Sequence, residues 1–370
     1  MNNMEVFKFL KGNILLVITL ILMILTSCLV RPNFHAINFQ VLFILFDLML
    51  ISSVLERYGL LKALSLQIVT KFNSQRKLSV AMILLTALFA MLFTNDVALF
   101  VVIPLTIVIY KNIGKNPIRL VVLEGLAANI GGSFSPLGSP QNMFLYLKYD
   151  ISMKMFFSIT ALFTLVGLYW LMRTALRFNK QEIKAHYEKV EVEKKGVVLL
   201  YLILFCVTVY MLSIHFNLLW ITLVIVFVTI EANRKSFLHV DYSLLIVFIG
   251  FFITFDNLSR MAIFDIVGVL GKNPIAVYLM AAFLPQVMSN VPTTLFLSKF
   301  TLLYKPLLLG ANVGGLGNII ASMANLIVYR LYRGSFKKEK FFPYFFKMNW
   351  TLFGILFCIN GLLLLVVFLK

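Results

Sequence analysis

The sequence predicts an all-α polytopic membrane protein made of inverted repeats, each with a re-entrant hairpin and a broken transmembrane helix. Three observations lead there. Of 370 residues, 61% are hydrophobic and only 13% charged, where soluble domains carry about a quarter charged residues. Apolar runs at 13–30, 38–55, 153–172, 197–214, 217–230 and 350–369 approach the roughly 20 residues that a bilayer core requires. Finally, one polar pattern occurs twice inside apolar sequence. Asn129-Ile130-Gly131-Gly132 is followed by Ser139 and Asn142, and Asn312-Val313-Gly314-Gly315 by Ser322 and Asn325, at a constant offset of 183.

The charge distribution orders the elements. A net charge of +18 would point to nucleic acid in a soluble protein, but here the Lys and Arg residues gather in loops, so no nucleic-acid partner is expected. Alternating the loops across the membrane places 25 basic residues on one side and 8 on the other. The rule that basic loops stay cytoplasmic then puts the N-terminus inside and Lys370 outside. Cys28, Cys206 and Cys358 lie in apolar runs and read as small hydrophobes. Leu25-Thr26-Ser27-Cys28 also resembles a lipoprotein cleavage box, although an uncleaved first helix accounts for the same residues.

In chain order, helices at 13–30 and 38–55 are followed by an amphipathic segment, 57–77, lying at the inner interface. Segment 78–110 is flanked by basic clusters on both sides, so it enters and leaves on one face as a hairpin with its tip at Thr94-Asn95-Asp96. The alternative, two short ordinary helices, would invert every later loop against the charge bias. A crossing at 118–147 is interrupted between Gly131 and Pro140, helix 153–172 returns, and 173–196 forms a charged connector. Helices 197–214 and 217–232 open the second half. Segment 241–257 matches 38–55, and a short helix spans 259–270. A second hairpin covers 274–303 with Ser289-Asn290 at its tip, a broken crossing covers 306–330, and a final helix covers 344–369. On this path the repeats have opposite orientations, the pattern of an inverted pair. The segments are therefore 1–77, 78–172, 173–196, 197–273 and 274–370.

Breaks in a membrane helix are tolerable only where protein surrounds them, so the two tips and two breaks are expected to share one cavity. Helix N-termini there would favour anionic groups, and freed carbonyls would favour a sodium ion. Gly131-Gly132 and Gly314-Gly315 permit tight turns or, alternatively, close helix packing. Pro136 and Pro140 stop the first broken helix. The second copy has Gly317 and no proline, which predicts a softer break. Asp96, a carboxylate at mid-membrane depth, reads as a proton or cation site or as the cap of the second hairpin helix. Asp47 is a second titratable candidate, and Glu124 is expected to snorkel or to pair with Arg119. Asp256 is placed near the outer interface. His35, His186, His215 and His239 fall in predicted loops. No nucleophile–base pair, phosphate loop or metal-ligand spacing is read in the sequence, so neither an enzyme nor a resident cofactor is expected, sodium ions aside.

Thr94-Asn95-Asp96-Val97-Ala98-Leu99, the block from Gly131 to Asn142, and Ser289-Asn290-Val291-Pro292-Thr293-Thr294 resemble the ion transporter superfamily. It includes citrate-transporter-type permeases, divalent anion/sodium symporters, arsenite permeases and sodium/proton antiporters. The resemblance covers roughly 38–330. It implies an elevator-type architecture, in which a dimeric scaffold (1–77 and 197–273) supports a transport domain (78–172 and 274–370) moving through the bilayer. It implies substrate contacts from Thr94, Asn95, Asp96, Ser139, Asn142, Ser289, Asn290, Thr293, Thr294, Ser322 and Asn325. Sodium or proton sites would involve Asn95, Asp96, Asn129, Ser135, Gly138, Asn290, Asn312, Gly317 and Asn318. The dicarboxylate symporters carry Ser-Asn-Thr at both tips. Here the tips read Thr-Asn-Asp and Ser-Asn-Val, the first closer to the arsenite permease branch. The expected activity is secondary transport of a small anion coupled to sodium or protons. The alternative is sodium/proton antiport through Asp96.

Overall fold

The structure is a computed structural model that describes residues 14–72, 74–180, 190–336 and 341–368. His186, part of the charged connector and the basic residues Lys337, Lys338, Lys340 and Lys370 lie outside the described residues. Helices are the only regular elements described. Seven are long and apolar enough to cross a membrane. Helices of the protein expose Leu165, Tyr169, Leu199 and Phe227, an apolar surface suited to lipid and not to water.

Helices α1 (Ile14–Leu29) and α2 (Phe39–Arg57) come first. Asn38 starts α2 by accepting a hydrogen bond from the Val41 amide at 3.2 Å, a side-chain cap for an otherwise free donor. Gly59, at φ +78°, turns the chain into the short α3 (Leu60–Val69), so the predicted interfacial segment 57–77 holds one short helix between the end of the preceding helix and the start of the next at Gln75. Helices α4 (Gln75–Leu92) and α5 (Asn95–Asn112) meet at a tip buried in the protein, where Asn95 is only 7% exposed. Their far ends are tied together, since Gln75 donates to Tyr110 Oη at 3.2 Å and Lys115 to Gln75 Oε1 at 3.3 Å. The far ends therefore lie together and the tip is buried in the protein, an antiparallel pair of helices each among the seven long enough to cross a membrane.

The first broken crossing comprises α6 (Ile118–Phe134), a 3-10 turn at Pro136–Gly138 and α7 (Pro140–Lys148). The chain continues with α8 (Met153–Ala175), α9 (Lys195–Ser213), α10 (Leu219–Asn233), α11 (Tyr242–Ser259) and the short α12 (Asp265–Leu270). The second hairpin is α13 (Pro274–Phe283), α14 (Pro285–Met288) and α15 (Asn290–Leu297). Its ends are also joined, by Thr301 Oγ1 donating to Gly271 O at 2.6 Å. The second broken crossing is α16 (Tyr304–Gly314) and α17 (Met323–Arg333), and α18 (Phe341–Phe368) follows.

The helices pack in two groups. One contains α1, α2, α9, α10 and α11 and the other both hairpins, both broken crossings, α8 and α18, with α11 packed on α15 as well as on α1 and α2, and α2 packed on α7. Within the second group, α4 packs along α6, and α13 packs along α16. Glycine allows both contacts. A Cβ on Gly131 would stand 2.2 Å from Ala87 O, and one on Gly314 would stand 2.6 Å from Ala281 O. Small residues at such crossings let helix backbones approach in a bilayer. Between the groups lie aromatic contacts together with polar ones, Lys299 to Asp256 at 2.7 Å, Tyr146 Oη donating to Leu212 O at 3.3 Å and His215 to Asp150 at 3.2 Å. Phe93 meets Phe205 at 5.3 Å, Phe144 meets Phe252 at 5.8 Å and Phe255 meets Phe296 at 5.7 Å.

The second break is longer than the first, contrary to the expectation from its missing prolines. Residues 315–322 contain no α-helix. Gly317 adopts φ +99°, and Gln286 holds the opened backbone by donating to Gly314 O at 3.0 Å and Leu316 O at 2.9 Å. Glu124 also departs from expectation. It is fully buried and accepts from Thr106 Oγ1 at 2.5 Å, with no Arg119 contact among the described salt bridges.

Gly131→Ala is expected to force α4 and α6 apart and to destabilise the protein by about 1–3 kcal/mol. A thermal unfolding curve of the purified variant checks this, and an unchanged midpoint would refute the close approach.

Candidate functional site

Both hairpin tips and both breaks line one cavity of about 430 Å³. Thr94, Asn95 and Asp96 come from the first tip, Ser139 from the first break, Ser289 and Asn290 from the second tip, and Ser322 from the second break. The facing wall belongs to α2 and α11. Ser52, Ser53, Glu56, Arg57, Phe248 and Phe251 line it, with His239 and Asp241 from the segment that leads into α11. The cavity opens at the end marked by Glu56, Arg57 and Asp241, all exposed. Its volume suits a small solute.

Local chemistry positions each tip. Thr94 caps α5 by accepting from the Val97 amide at 3.3 Å. That leaves Asp96 without the capping role and half-buried on the cavity wall. Oriented so that its nitrogen faces acceptors, the Asn95 amide donates to Ala128 O at 2.8 Å and Gly138 O at 2.9 Å. Gly132 has no side chain because Asn95 occupies that space, within 1.8 Å of where a Cβ would stand. Ser135 Oγ reaches back to Met91 O at 2.5 Å. At the second tip Ser289 adopts φ +72°, a left-handed conformation uncommon for residues other than glycine. The Asn290 amide anchors it to Ala321 O at 2.9 Å.

The two copies of the duplicated block make the same bond. Asn142 Nδ2 donates to Gly132 O at 3.2 Å, and Asn325 Nδ2 donates to Gly315 O at 3.1 Å. The asparagines thus close each break on its own glycine pair and satisfy carbonyls that the lost helical turns would leave bare. Asn142, Asn325, Asn129, Asn312, Thr293, Thr294, Ser135, Gly138, Gly317 and Asn318 stand behind the cavity and do not line it. Asn318 organises the second break, its Nδ2 donating to Gln286 O at 2.6 Å and its Oδ1 accepting from the Ile320 and Ala321 amides.

Several residues of the site were not singled out from sequence. Gln286 is the clearest, and its signal was a lone amide in an apolar run three residues before a tip. Glu56, Arg57, His239 and Asp241 form the rim, and helix-end charges carry no distinguishing pattern. His215 pairs with Asp150 at 3.2 Å, away from the cavity residues. Asp47 is buried in α2 and accepts from Thr222 Oγ1 at 2.9 Å. Asp256 binds Lys299 at 2.7 Å and Arg260 at 3.3 Å.

The family signature of citrate transporters matches residues 10–303. The chain belongs to this CitMHS citrate transporter family. It is 31% identical over 332 residues to an uncharacterized transporter of Methanocaldococcus jannaschii, covering 88% of this chain and 91% of that one. It is 32% identical over 308 residues to the inner membrane protein YbiR of Escherichia coli, covering 80% of each. A silicon efflux transporter of rice, Oryza sativa, is 29% identical over 121 residues, covering 32% of this chain and 24% of its own. The chain is therefore an integral membrane transporter of the citrate and arsenite permease type. As such a permease, it places amides and hydroxyls, with Asp96, on the side of the cavity formed by its hairpins and breaks.

Gln286→Leu in this CitMHS member is expected to strand two carbonyls and the Asn318 amide, which now donates to Gln286 Oε1 at 3.0 Å. Each stranded buried group costs about 1–3 kcal/mol. The unfolding midpoint should fall by more than it does in Gln67→Leu, an exchange on α3 outside the cavity; equal midpoints would contradict the bracing role.

Proposed function

We propose that the protein is a secondary active transporter of a small anion, carboxylate or oxyanion, coupled to sodium or protons. The observation that carries this reading is the meeting of four chain interruptions on one cavity. Amide and hydroxyl groups of Thr94, Asn95, Ser139, Ser289, Asn290 and Ser322 would bind the substrate by hydrogen bonds. The helix starts at Asn95, Pro140, Asn290 and Met323 add partial positive charge. The lining also holds Glu56, Asp96 and Asp241 against Arg57 and His239. That excess of carboxylates would repel an anion travelling alone, which supports coupling to a cation.

The proposed mechanism is an elevator. The hairpin-containing group would carry the cavity along the scaffold formed by α1, α2 and α9–α11. The aromatic contacts between the groups suit such sliding, whereas the Lys299–Asp256 pair and the Tyr146–Leu212 bond would have to break as the groups move. The equivalent bonds of Asn142 and Asn325 support descent of the halves from one repeat, arranged as an inverted pair. A homodimer in the bacterial plasma membrane, with a cytoplasmic N-terminus, completes the reading. A second reading, sodium/proton antiport through Asp96, draws on the same residue, which faces the cavity and is spared from capping.

Uptake into proteoliposomes tests the proposal, with candidate carboxylates and oxyanions under a sodium or proton gradient. Asn95→Ala and Asn290→Ala should each reduce uptake at least about tenfold while leaving most of the protein folded. Normal uptake in either variant would remove that tip from the site. Asp96→Asn should alter the sodium or pH dependence of transport. Sodium-driven proton flux without any added anion, read by an internal pH dye, would favour the antiport reading.

A further inference from the structure

A second, smaller pocket lies at the other end of the seam between the two groups of helices. Its volume is about 150 Å³. Asn38, just before α2, and Phe255, near the end of α11, line it. The main cavity opens instead beside Glu56 at the end of α2 and Asp241 at the start of α11. The two spaces therefore lie at opposite ends of the same antiparallel pair of helices. Phe251 lines both, which sets the pocket in line with the cavity. The charge at this mouth is the reverse of that at the other. Lys148, the last residue of α7, and Lys299, just past α15, both line the pocket. Lys148 Nζ donates to Ser298 Oγ at 2.9 Å and to Ser298 O, which brings it to the chain neighbour of Lys299. It also interacts electrostatically with Lys299 and Asp256. Lys299 Nζ donates to Asp256 Oδ1 at 2.7 Å, and Arg260 approaches the same carboxylate at 3.3 Å. Three cations thus share one carboxylate, beside the buried rings of Phe144, Phe252 and Phe255.

We infer that this pocket binds a small carboxylate or oxyanion between Lys148 and Lys299, as a station at the mouth opposite to the one through which the cavity opens. The binding stands on the pocket alone; its role as a station for the transported anion rests on the transporter reading. An excess of charge beside apolar walls is costly, and an anion is the ligand that removes the cost. Each ammonium is a triple donor, and the described bonds use two donors of Lys148 and one of Lys299, so both can still donate to a ligand. The volume equals the liquid share of roughly five water molecules, room for an ion the size of acetate or nitrate. The lysines belong to the hairpin-containing group and Asp256 to the scaffold group. A bound anion competes with Asp256 for Lys299, and so loosens an ion pair that must break when the groups move. Arrival of the anion at this mouth thereby favours the motion that would carry it.

The test is thermal unfolding of the purified full-length protein in detergent. Sodium acetate or sodium nitrate is titrated against the bulkier sodium gluconate, which keeps sodium and ionic strength fixed. Asn290→Ala serves as the parent, so that the main cavity contributes little binding. Its midpoint should rise saturably with acetate or nitrate. Lys148→Gln and Lys299→Gln should each need at least about tenfold more anion for the half-maximal shift, whereas Lys148→Arg, which keeps the charge, should stay near the parent. Asp256→Asn removes the competing carboxylate and should need less anion, which keeps the test readable if a lysine variant folds poorly. Equal midpoints in all three salts would overturn the site. An unchanged anion requirement in both glutamine variants and in Asp256→Asn would overturn it too. A shift that follows the lysines in protein that transports no anion would support the site while refuting the transport reading. Transport without any lysine-dependent shift would refute the site alone.

Discussion

The structure depends on one constraint. In hydrocarbon, an unpaired backbone N–H or C=O costs several kcal/mol, so a helix can be interrupted only where other protein groups take up the loose ends. This chain interrupts its helices at two tips and two breaks and collects all four in one place. Several of the loose ends find partners in neighbouring stretches of the chain. Ser135 serves Met91 O, Gln286 serves Gly314 O and Leu316 O, and Ala321 O receives the Asn290 amide. Asn142 and Asn325 serve the glycine carbonyls of their own breaks. For these groups local satisfaction and global assembly are the same event, because each partner comes from a neighbouring interruption or from the other side of its own break.

Collecting the interruptions demands close backbone approach, which explains where the glycines fall. Gly131 and Gly314 admit Ala87 and Ala281 of the adjacent hairpins, while Gly132 admits the Asn95 side chain. The buried carboxylates obey the same low-dielectric logic. Glu124 and Asp47 are each met by a threonine hydroxyl rather than by a cation. Asp256, at a helix end, has two cationic neighbours instead. Long cationic side chains can reach a helix end from water far more cheaply than they can reach the middle of a bilayer.

Much of this was legible in the residues. Apolar length located the helices, and the Gln75, Tyr110 and Lys115 contacts join the far ends of the antiparallel pair within 78–110. The duplicated Asn-x-Gly-Gly block indicated that the breaks would converge, since matched polar residues inside apolar runs need a common destination. Partner choice was not legible. Nothing along the chain distinguishes Thr106 from Arg119 as the neighbour of Glu124, because helical spacing says nothing of which other helix packs alongside. The length of the second break was misjudged for a related reason. Proline marks a local stop, whereas the opening at 315–322 is held by Gln286, a residue 28 positions from Gly314. The rim residues Glu56, His239 and Asp241 were missed because charge at helix ends is common and becomes informative only once two ends face one space.

The cavity combines two features that pull in different directions, and their combination constrains what can pass. Neutral amides, hydroxyls and helix starts favour an anion by directed hydrogen bonds, a short-range term that requires contact. Three carboxylates at the rim and wall oppose an anion through a longer-range Coulomb term, which weakens with salt at the exposed Glu56 and Asp241 and persists at the half-buried Asp96. A bare anion would therefore meet repulsion before it met its hydrogen bonds. Under the proposed coupling, a cation at Asp96 would reverse that order, because it would neutralise the repulsion at the depth where screening is least. Occupancy by cation and anion would, under that coupling, be cooperative, and an empty or doubly occupied cavity would be favoured over one holding anion alone. That preference is what strict coupling requires, since the cavity would otherwise carry its substrate without its driving ion.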